Sequence, residues 1–234
     1  MRQEVGQLLK KAIFDGVYEP GEQVYEAELA KKLQLSRGPI REALLQLERE
    51  SLVRHVYNKG WFVLTLTPEE MSEITSLRTV LEVLTLRLAK ERITDRELSR
   101  LKKIQRSMHE AYAQGQIAEA IQGDFDFHQE IWQISGHRLL QETLVKTTTP
   151  YFAFFKMSKI RSELELTAFQ NGLQNHQAMI DFLAGDTSQS AEWCIRNHFA
   201  PVHVQNWSLL LDAIHRKEAP PNAVSPADQN PESA

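Results

Sequence analysis

The chain has 234 residues, of which 42% are hydrophobic and 25% are charged, and its formal net charge is −4. This composition is typical of a globular protein, and the length is sufficient for two domains. No run of residues approaches the roughly 18 apolar residues of a membrane-spanning helix. The first 16 residues are amphipathic and include acids, so we expect no secretory leader. The single cysteine, Cys194, excludes an internal disulfide and is expected to be a small core residue of a cytoplasmic protein.

Charge is unevenly distributed along the chain. Residues 1–66 contain ten Lys/Arg and nine Asp/Glu, whereas the remainder contains 17 and 22. A nearly neutral N-terminal part is thus joined to an acidic remainder. This balance neither requires nor excludes a nucleic-acid partner. Only the positions of individual basic residues can indicate whether the protein binds nucleic acid.

The N-terminal part is predicted to contain three helices and a β-hairpin. Apolar residues at helical spacing predict the first helix. They are Val5, Leu8, Leu9, Ala12 and Ile13. Glycine and proline in "DGVYEPGEQV" predict a loop, and "EAELAKKLQL" predicts a short second helix. Ser36 is the predicted N-cap of a third helix, with Pro39 in its first turn. The alternating segment "LVRHVYNKGWFVLTL" predicts a hairpin with its turn at Asn58-Lys59-Gly60.

The rest of the chain is predicted to be helical. Thr67 and Glu70 have the spacing of a capping box at the start of the first of these helices. The predicted helices span residues 68–91, 95–114, 116–136, 138–160, 162–185 and 187–214. The proline-rich stretch 216–234 predicts a disordered tail. We therefore expect a mainly α protein, with a winged helix-turn-helix domain at residues 1–66 and an all-helical antiparallel bundle at residues 70–215.

Helices followed by a two-stranded hairpin are the element order of a winged helix-turn-helix, whose third helix lies in the DNA major groove. Arg37 and Arg41 are four residues apart, so they share one face near the start of that helix. The planar guanidinium can bind the edge of guanine or a phosphate group. Lys59, at the hairpin tip, would reach the DNA backbone or the minor groove. The alternative is that these are solvated charges, with Arg41 paired to Glu42 or Glu48.

Residues 5–66 resemble the N-terminal domain of the GntR family of bacterial transcription regulators. The shared features are Gly16, Pro20-Gly21, "ELA", "LSRGPIREAL" and the wing "KGWFV". The resemblance implies that the protein binds operator double-stranded DNA as a homodimer. It also assigns Arg37 and Arg41 to the recognition arginines and Gly60 to the wing glycine. Ser51 stands where the family usually has glycine.

Polar residues interrupt the apolar face of the helix that contains "DFDFHQEI". Asp124 and His128 are one turn apart, and His176 and His198 lie on two later predicted helices. These four side chains could converge inside a bundle, where imidazole and carboxylate groups suit zinc, nickel, manganese or cobalt. On spacing alone, histidines that are hydrogen-bonded in the core remain an alternative.

Residues 70–214 are similar to the ligand-binding domain of the FadR branch of GntR regulators, the FCD type. The similarity is concentrated in "DFDFH" and in "NHQAMIDFLAGDTSQSAEWCIRNH". It implies a divalent metal, which we expect to be zinc, with nickel or manganese as alternatives. The implied ligands are Asp124, His128, His176 and His198. It also implies a small organic-acid or sugar-acid effector in the same cavity.

Two further residues are candidates for contact with that effector. Arg78 matches a family arginine and would pair with the effector carboxylate, the alternative being a surface or helix-pairing arginine. His137 stands where the family usually has asparagine, and would either line the pocket or cap the next helix. Pro201 is expected to kink the last helix, which makes His203 a rival of His198 as a ligand.

The function predicted from these features is transcription regulation, with operator affinity set by an effector and the linker at residues 66–69 as the hinge. A regulator that senses the metal itself is one alternative. A metal-dependent enzyme is another. No zincin, nucleophile-elbow or phosphate-loop motif accompanies the predicted ligands, which disfavours the enzyme.

Overall fold

Three helices and a three-stranded sheet form the N-terminal part in a computed structural model, which describes residues 2–158 and 163–199 of the chain. The helices are α1 (Arg2–Phe14), α2 (Glu26–Leu33) and α3 (Arg37–Arg49). The strands are β1 (Gln23–Val24), β2 (Val53–Val56) and β3 (Gly60–Val63). This is the predicted winged helix-turn-helix order, with one additional strand.

The hairpin turns one residue earlier than predicted, since residues 57–59 connect the strands and Gly60 already belongs to β3. β2 and β3 are antiparallel with Val56 opposite Gly60, and Asn58 and Gly60 have φ angles of +58° and +97°. The segment predicted to be only a loop also contains β1, which pairs with β3 so that Gln23 lies opposite Phe62. That prediction was incomplete, because a strand of two residues is too short to show alternation in the sequence.

The core of this part is formed by the inner faces of the helices and sheet. On α1, Val5, Leu9 and Ile13 are buried as predicted, but Leu8 is 56% exposed and lies outside the core. The indole Nε1 of Trp61 donates a 2.8 Å hydrogen bond to Glu26 Oε1. This bond fixes the hairpin against α2.

Within the described residues six helices follow the hairpin, which confirms the mainly α fold class. They are α4 (Pro68–Lys90), α5 (Asp95–Ala113), α6 (Ile117–Ile134), α7 (Arg138–Ser158), α8 (Glu163–Ala184) and α9 (Ala191–Phe199). The last helix starts at Ala191 rather than at residue 187, since the Ser190 hydroxyl accepts the N–H of Trp193 and caps it. The predicted C-terminal part of that helix, Pro201, His203 and the predicted tail lie outside the described residues.

The capping box predicted at the start of α4 is present. Thr67 Oγ1 accepts the N–H of Glu70, and a carboxylate oxygen of Glu70 accepts the N–H of Thr67 at 2.8 Å. The preceding Leu66 is buried. The linker predicted to be a hinge is therefore anchored at both ends.

Two apolar clusters organise the core. The first contains the N-terminal core and extends to Ile121 on α6 and to Phe152 and Phe154 on α7. The second lies within the helical bundle and contains the buried Cys194, as predicted. Trp132 is fully buried, whereas Trp193 is 43% exposed. Among the described helices, none combines the length and the apolar character needed to cross a membrane.

Candidate functional site

The four predicted metal ligands meet in the bundle core, where one ligand atom from each lies within 4.8 Å of all the others. Nε2 of His176 is 2.8 Å from Oδ1 of Asp124, and Nε2 of His128 is 3.5 Å from the same oxygen. Nε2 of His128 and Nε2 of His198 are 3.0 Å apart. The three imidazoles are buried, and 17% of the Asp124 side chain is exposed. Helices α6, α8 and α9 thus contribute to one cluster.

Groups behind the imidazoles fix which nitrogen faces the cluster. Nδ1 of His128 lies 2.7 Å from Oε2 of Glu82, and Nδ1 of His176 lies 3.0 Å from the carbonyl oxygen of Leu173. Both oxygens only accept hydrogen bonds, so each Nδ1 carries the proton and each Nε2 points inward. Burial opposes the ionisation of Glu82, but Arg78 and His128 together lower its pKa to about 2. Sequence reasoning missed Glu82, although its spacing of four from Arg78 repeats that of Asp124 and His128.

The protonation states of Asp124, His176 and His198 suit a cation. Burial lowers the pKa of His176, and burial together with the neighbouring histidines lowers the pKa of His198 well below its usual value. Burial opposes the ionisation of Asp124, yet the adjacent imidazoles of His128 and His176 lower its pKa well below the usual range. Burial alone would lower the pKa of His128, but Glu82 and Asp124 raise it. The cluster therefore combines an ionised carboxylate with two neutral imidazoles.

The spacing of the ligand atoms also fits a metal. With metal–ligand bonds of about 2.1 Å, neighbouring ligand atoms are about 3.0 Å apart in an octahedron and about 3.4 Å apart in a tetrahedron. The separations of 2.8, 3.0 and 3.5 Å are close to these values. Oδ1 of Asp124 and Nε2 of His176 are buried and form no well-oriented hydrogen bond with any described residue. Converging lone pairs repel one another unless a cation lies among them, so these residues fit a divalent metal.

Arg78 lies beside the cluster rather than on the surface. It is 2% exposed, and its Nε donates a 2.7 Å hydrogen bond to Glu82 Oε1. Its guanidinium carbon is 5.3, 5.0 and 4.6 Å from the ring centroids of Tyr151, Phe152 and Phe199. Its Nη2 is buried without a hydrogen-bond partner among the described residues. The arginine therefore has both a structural partner and a free donor.

Two more buried donors near the cluster were not predicted from the sequence. Thr75 Oγ1 and Trp132 Nε1 are buried and have no hydrogen-bond partner in the part of the chain that the structure describes. Thr75 lies one turn before Arg78 on α4, and the Trp132 ring centroid is 6.3 Å from that of His128. A threonine or tryptophan in an apolar helix is normally a core residue, so the sequence carries no signal for them.

His137 is placed differently from the other candidates. It is exposed at the start of α7, where its Nδ1 accepts the N–H of Leu140 at 3.3 Å. α6, the helix that carries His128, ends at Ile134, so His137 lies in the connection beyond the end of that helix. The geometry favours the capping alternative over contact with a ligand in the cluster.

The predicted DNA-contacting arginines are exposed. Arg37 is the first residue of α3, and Arg41 lies one turn further along it. Ser36 has the extended backbone of an N-cap, but its side chain makes no capping hydrogen bond. Glu48, one of the predicted partners of Arg41, instead accepts the backbone N–H of His55.

The hairpin tip presents a further basic side chain. Lys59 is exposed, and its carbonyl oxygen accepts a hydrogen bond from Gln23 Nε2. Gly60 follows with a φ of +97°, a conformation that favours glycine. The tip is thus held by β1 while the Lys59 side chain extends into solvent.

Two family models match the chain in successive segments. Residues 1–63 match the model of the gntR family of bacterial regulatory proteins. Residues 73–201, more than half of the chain, match the model of the FCD domain. Arg37 and Arg41 lie within the first segment, and the buried cluster lies within the second.

Individual relatives agree with these matches. YdhC of Bacillus subtilis, named an uncharacterized HTH-type transcriptional regulator, is 34% identical over 137 residues, which cover 58% of this chain and 61% of that protein. The chain thus spans less than two thirds of that relative. The Uxu operon regulator of Haemophilus influenzae is 26% identical over 223 residues, with 88% and 81% covered. The solved structure of E. coli McbR/YncC has the same fold, with a TM-score of 0.63, 20% identity, and 91% and 97% covered.

Proposed function

The chain belongs to the GntR family of bacterial regulatory proteins and carries an FCD domain, and from this premise we propose that it is a DNA-binding transcription regulator controlled by a small carboxylate effector bound beside a divalent metal. The observation that carries the proposal is the buried cluster of three histidines and one aspartate, joined in one chain to exposed arginines at the start of α3. DNA reading is assigned to residues 1–66, and metal and effector binding to residues 70–215.

The proposed DNA partner is an operator in double-stranded DNA. In this arrangement the start of α3 lies in the major groove, where Arg37 and Arg41 reach base edges or phosphates. Lys59 contacts a flanking phosphate, and Gly60 permits the tight turn that brings Lys59 there. All four positions are on the surface of the N-terminal part or in its turn, so DNA can reach them without rearrangement of the core.

The proposed metal ligands are Asp124, His128, His176 and His198. Zinc is our first choice, with nickel or manganese as alternatives, because imidazole nitrogens combined with a carboxylate suit these ions. The bound metal would supply positive charge and open coordination positions for an oxygen ligand. Glu82, the buried carboxylate behind the cluster, is engaged with Arg78 and His128, so it is not free to act as a general base. We therefore propose binding rather than catalysis.

The proposed effector is a small organic acid or sugar acid. Nη2 of Arg78 can form a charge-assisted hydrogen bond with its carboxylate, and Thr75 Oγ1 and Trp132 Nε1 are additional donors without partners among the described residues. Buried donors without partners are costly, and a ligand rich in oxygen acceptors removes that cost. The aromatic rings around Arg78 exclude water from the ion pair and strengthen it.

A homodimer is the proposed assembly, in the cytoplasm. One face of α4 carries Leu77, Val80 and Leu84, which are 42%, 69% and 43% exposed. Their spacing of three and four residues places them in one stripe along the helix. A second copy of the chain would cover this stripe, which would also place two DNA-reading parts in one complex.

Communication between the two parts is proposed to run through aromatic side chains. Phe152 lies under Arg78, and its ring centroid is 5.0 Å from that of Phe125, the residue next to Asp124. Both rings line a cavity of about 310 Å³ whose other wall includes Phe14 of α1. An effector that binds the two arrangements of these rings with different affinity would change the placement of the N-terminal part.

The test is operator binding by the full chain, with DNA selected from random-sequence oligonucleotides. Affinity would be measured for zinc-loaded and chelated protein, each with and without a panel of small carboxylic acids. We expect an acid to change the affinity only when metal is present. A response to metal alone would indicate a metal sensor, and a protein that selects no DNA would contradict the regulatory function.

A further inference from the structure

The buried carboxylate of Glu82 contacts both halves of the proposed site. Its Oε1 accepts a hydrogen bond from Nε of Arg78 at 2.7 Å, and its Oε2 lies 2.7 Å from Nδ1 of His128. All three side chains are at most 2% exposed. One carboxylate thus joins the proposed effector-binding arginine to a proposed metal ligand.

We infer that Glu82 is a positioning residue that sets the tautomer of His128 for metal binding and aims the guanidinium of Arg78 at the effector. This inference rests on the proposed function, because it assigns a role within the same site. For His128, acceptance of the Nδ1 proton leaves the lone pair on Nε2, the nitrogen that faces Asp124 and His198. For Arg78, binding of Nε orients the planar fork and leaves Nη2 free.

A simple ion pair between Arg78 and Glu82 would not explain this geometry. An arginine can bind a carboxylate through two parallel hydrogen bonds, which would occupy both oxygens. Here only Nε of Arg78 bonds to Glu82, and the second oxygen is turned toward His128. The two oxygens therefore serve two different partners.

Glu82→Gln separates these roles because the glutamine side chain has a single acceptor oxygen. If that oxygen stays with Arg78, the amide NH₂ faces Nδ1 of His128 and favours the tautomer with the proton on Nε2. That proton blocks the lone pair that the metal requires. Loss of an outer-shell partner of this kind lowers metal affinity by about 10–100-fold.

Glu130 provides a matched control. It is 6% exposed on α6, and its Oε2 lies 3.3 Å from Nε of Arg100. Glu130→Gln is therefore the same chemical change at another buried glutamate in the bundle. Unlike Glu82, Glu130 is paired with an arginine rather than with a proposed metal ligand, so its substitution should leave metal binding unchanged.

The experiment is titration of the metal-free full chain with Co²⁺, followed by visible absorption. We expect Glu82→Gln to weaken Co²⁺ binding by about 10–100-fold and Glu130→Gln to leave it unchanged. Equal affinity in Glu82→Gln and wild type, or an equal loss in both variants, would overturn the inference. A wild-type chain that binds no Co²⁺ would overturn the proposed metal site and this inference with it.

A second measurement uses the wild-type chain, so it tests the proposed tautomer of His128 even if Glu82→Gln does not fold. Nitrogen NMR of the zinc-loaded protein, labelled at histidine, distinguishes a protonated Nδ1 from a protonated Nε2. We expect His128 to carry its proton on Nδ1 and the metal on Nε2. The opposite tautomer would show that Glu82 does not position the ring.

Discussion

Leu77 and Arg78 are consecutive residues of α4 that lie on different faces of the helix, with Leu77 42% exposed and Arg78 2% exposed. The exposed side continues as a stripe through Val80 and Leu84, and the buried side continues to Glu82. α4 therefore has one face for the proposed effector site and another for the proposed partner subunit. A helix placed in this way can change subunit packing when a ligand binds behind it.

A charge in the exposed stripe should dissociate the proposed dimer. Val80→Glu would bury two carboxylates, one from each copy, in a two-fold interface. At about 1 kcal/mol or more for each, the dimer dissociation constant should rise by at least about 30-fold. Sedimentation measurements over a range of concentrations would show this. Leu139→Glu is the control, since Leu139 is 59% exposed but lies on α7. An unchanged dimer in Val80→Glu would exclude this face.

The arginines at the start of α3 should differ from an arginine elsewhere in their effect on operator binding. Arg41→Ala should weaken binding by about 1–3 kcal/mol if Arg41 contacts a base. Arg138→Ala is the matched control, because Arg138 is exposed on α7 and pairs with Glu142 at 2.8 Å. Fluorescence anisotropy with the selected operator measures both. Equal affinities for the two variants would remove Arg41 from the interface.

Lys59 should contribute to the salt dependence of operator affinity. As a phosphate contact it should affect all DNA sequences alike, and Lys59→Ala should reduce the slope of log affinity against log salt by about 1. The same titration with Arg41→Ala would show instead a loss of preference for the operator over random DNA. A slope unchanged in Lys59→Ala would mean that the hairpin tip does not reach the backbone.

Removal of one proposed ligand should remove the metal. His176→Ala deletes the ring whose Nε2 is 2.8 Å from Asp124, so we expect the bound metal to fall from about one ion per chain to a trace. His137→Ala is the control, because His137 is exposed and caps α7. Elemental analysis after gel filtration gives both values. Full occupancy in His176→Ala would contradict the proposed ligand set, and loss of metal in His137→Ala would place His137 at the site.

The helical framework could be predicted from the sequence because its signals are local. Thr67 and Glu70 define a helix start through four consecutive residues, and the structure contains that capping box. β1 could not be predicted in this way, since its only pattern is two residues beside a proline-glycine pair. Its existence depends on pairing with β3, a contact that is distant in the sequence.

Only those residues of the candidate site whose type itself indicates metal binding could be predicted from the sequence. Histidine and aspartate on an apolar helix face are conspicuous because their burial is costly without a partner. The sequence does not indicate a role for Glu82 in the site, because an arginine and a glutamate four residues apart are usually a surface pair. Thr75 and Trp132 carry no signal at all, since their unsatisfied polar atoms are visible only in the packed structure.

Ser51 should be a source of instability in the N-terminal part. It follows α3 with a φ of +56°, its N–H donates to the carbonyl of Glu48, and the N–H of Leu52 donates to that of Leu47. This is a Schellman motif, in which glycine is preferred because a side chain in the left-handed conformation costs about 1–2 kcal/mol. Ser51→Gly should therefore raise the free energy of unfolding by about 1 kcal/mol.

The same substitution, serine to glycine, inside a helix should lower the free energy of unfolding. Ser76 is exposed in α4, where glycine is less favourable than serine by about 0.5 kcal/mol. Urea unfolding of Ser51→Gly and Ser76→Gly, followed by circular dichroism, compares the two midpoints with that of the wild type. A rise for Ser51→Gly with a fall for Ser76→Gly would attribute the effect to backbone conformation. A fall in both would mean that the Ser51 side chain contributes more than its backbone conformation costs.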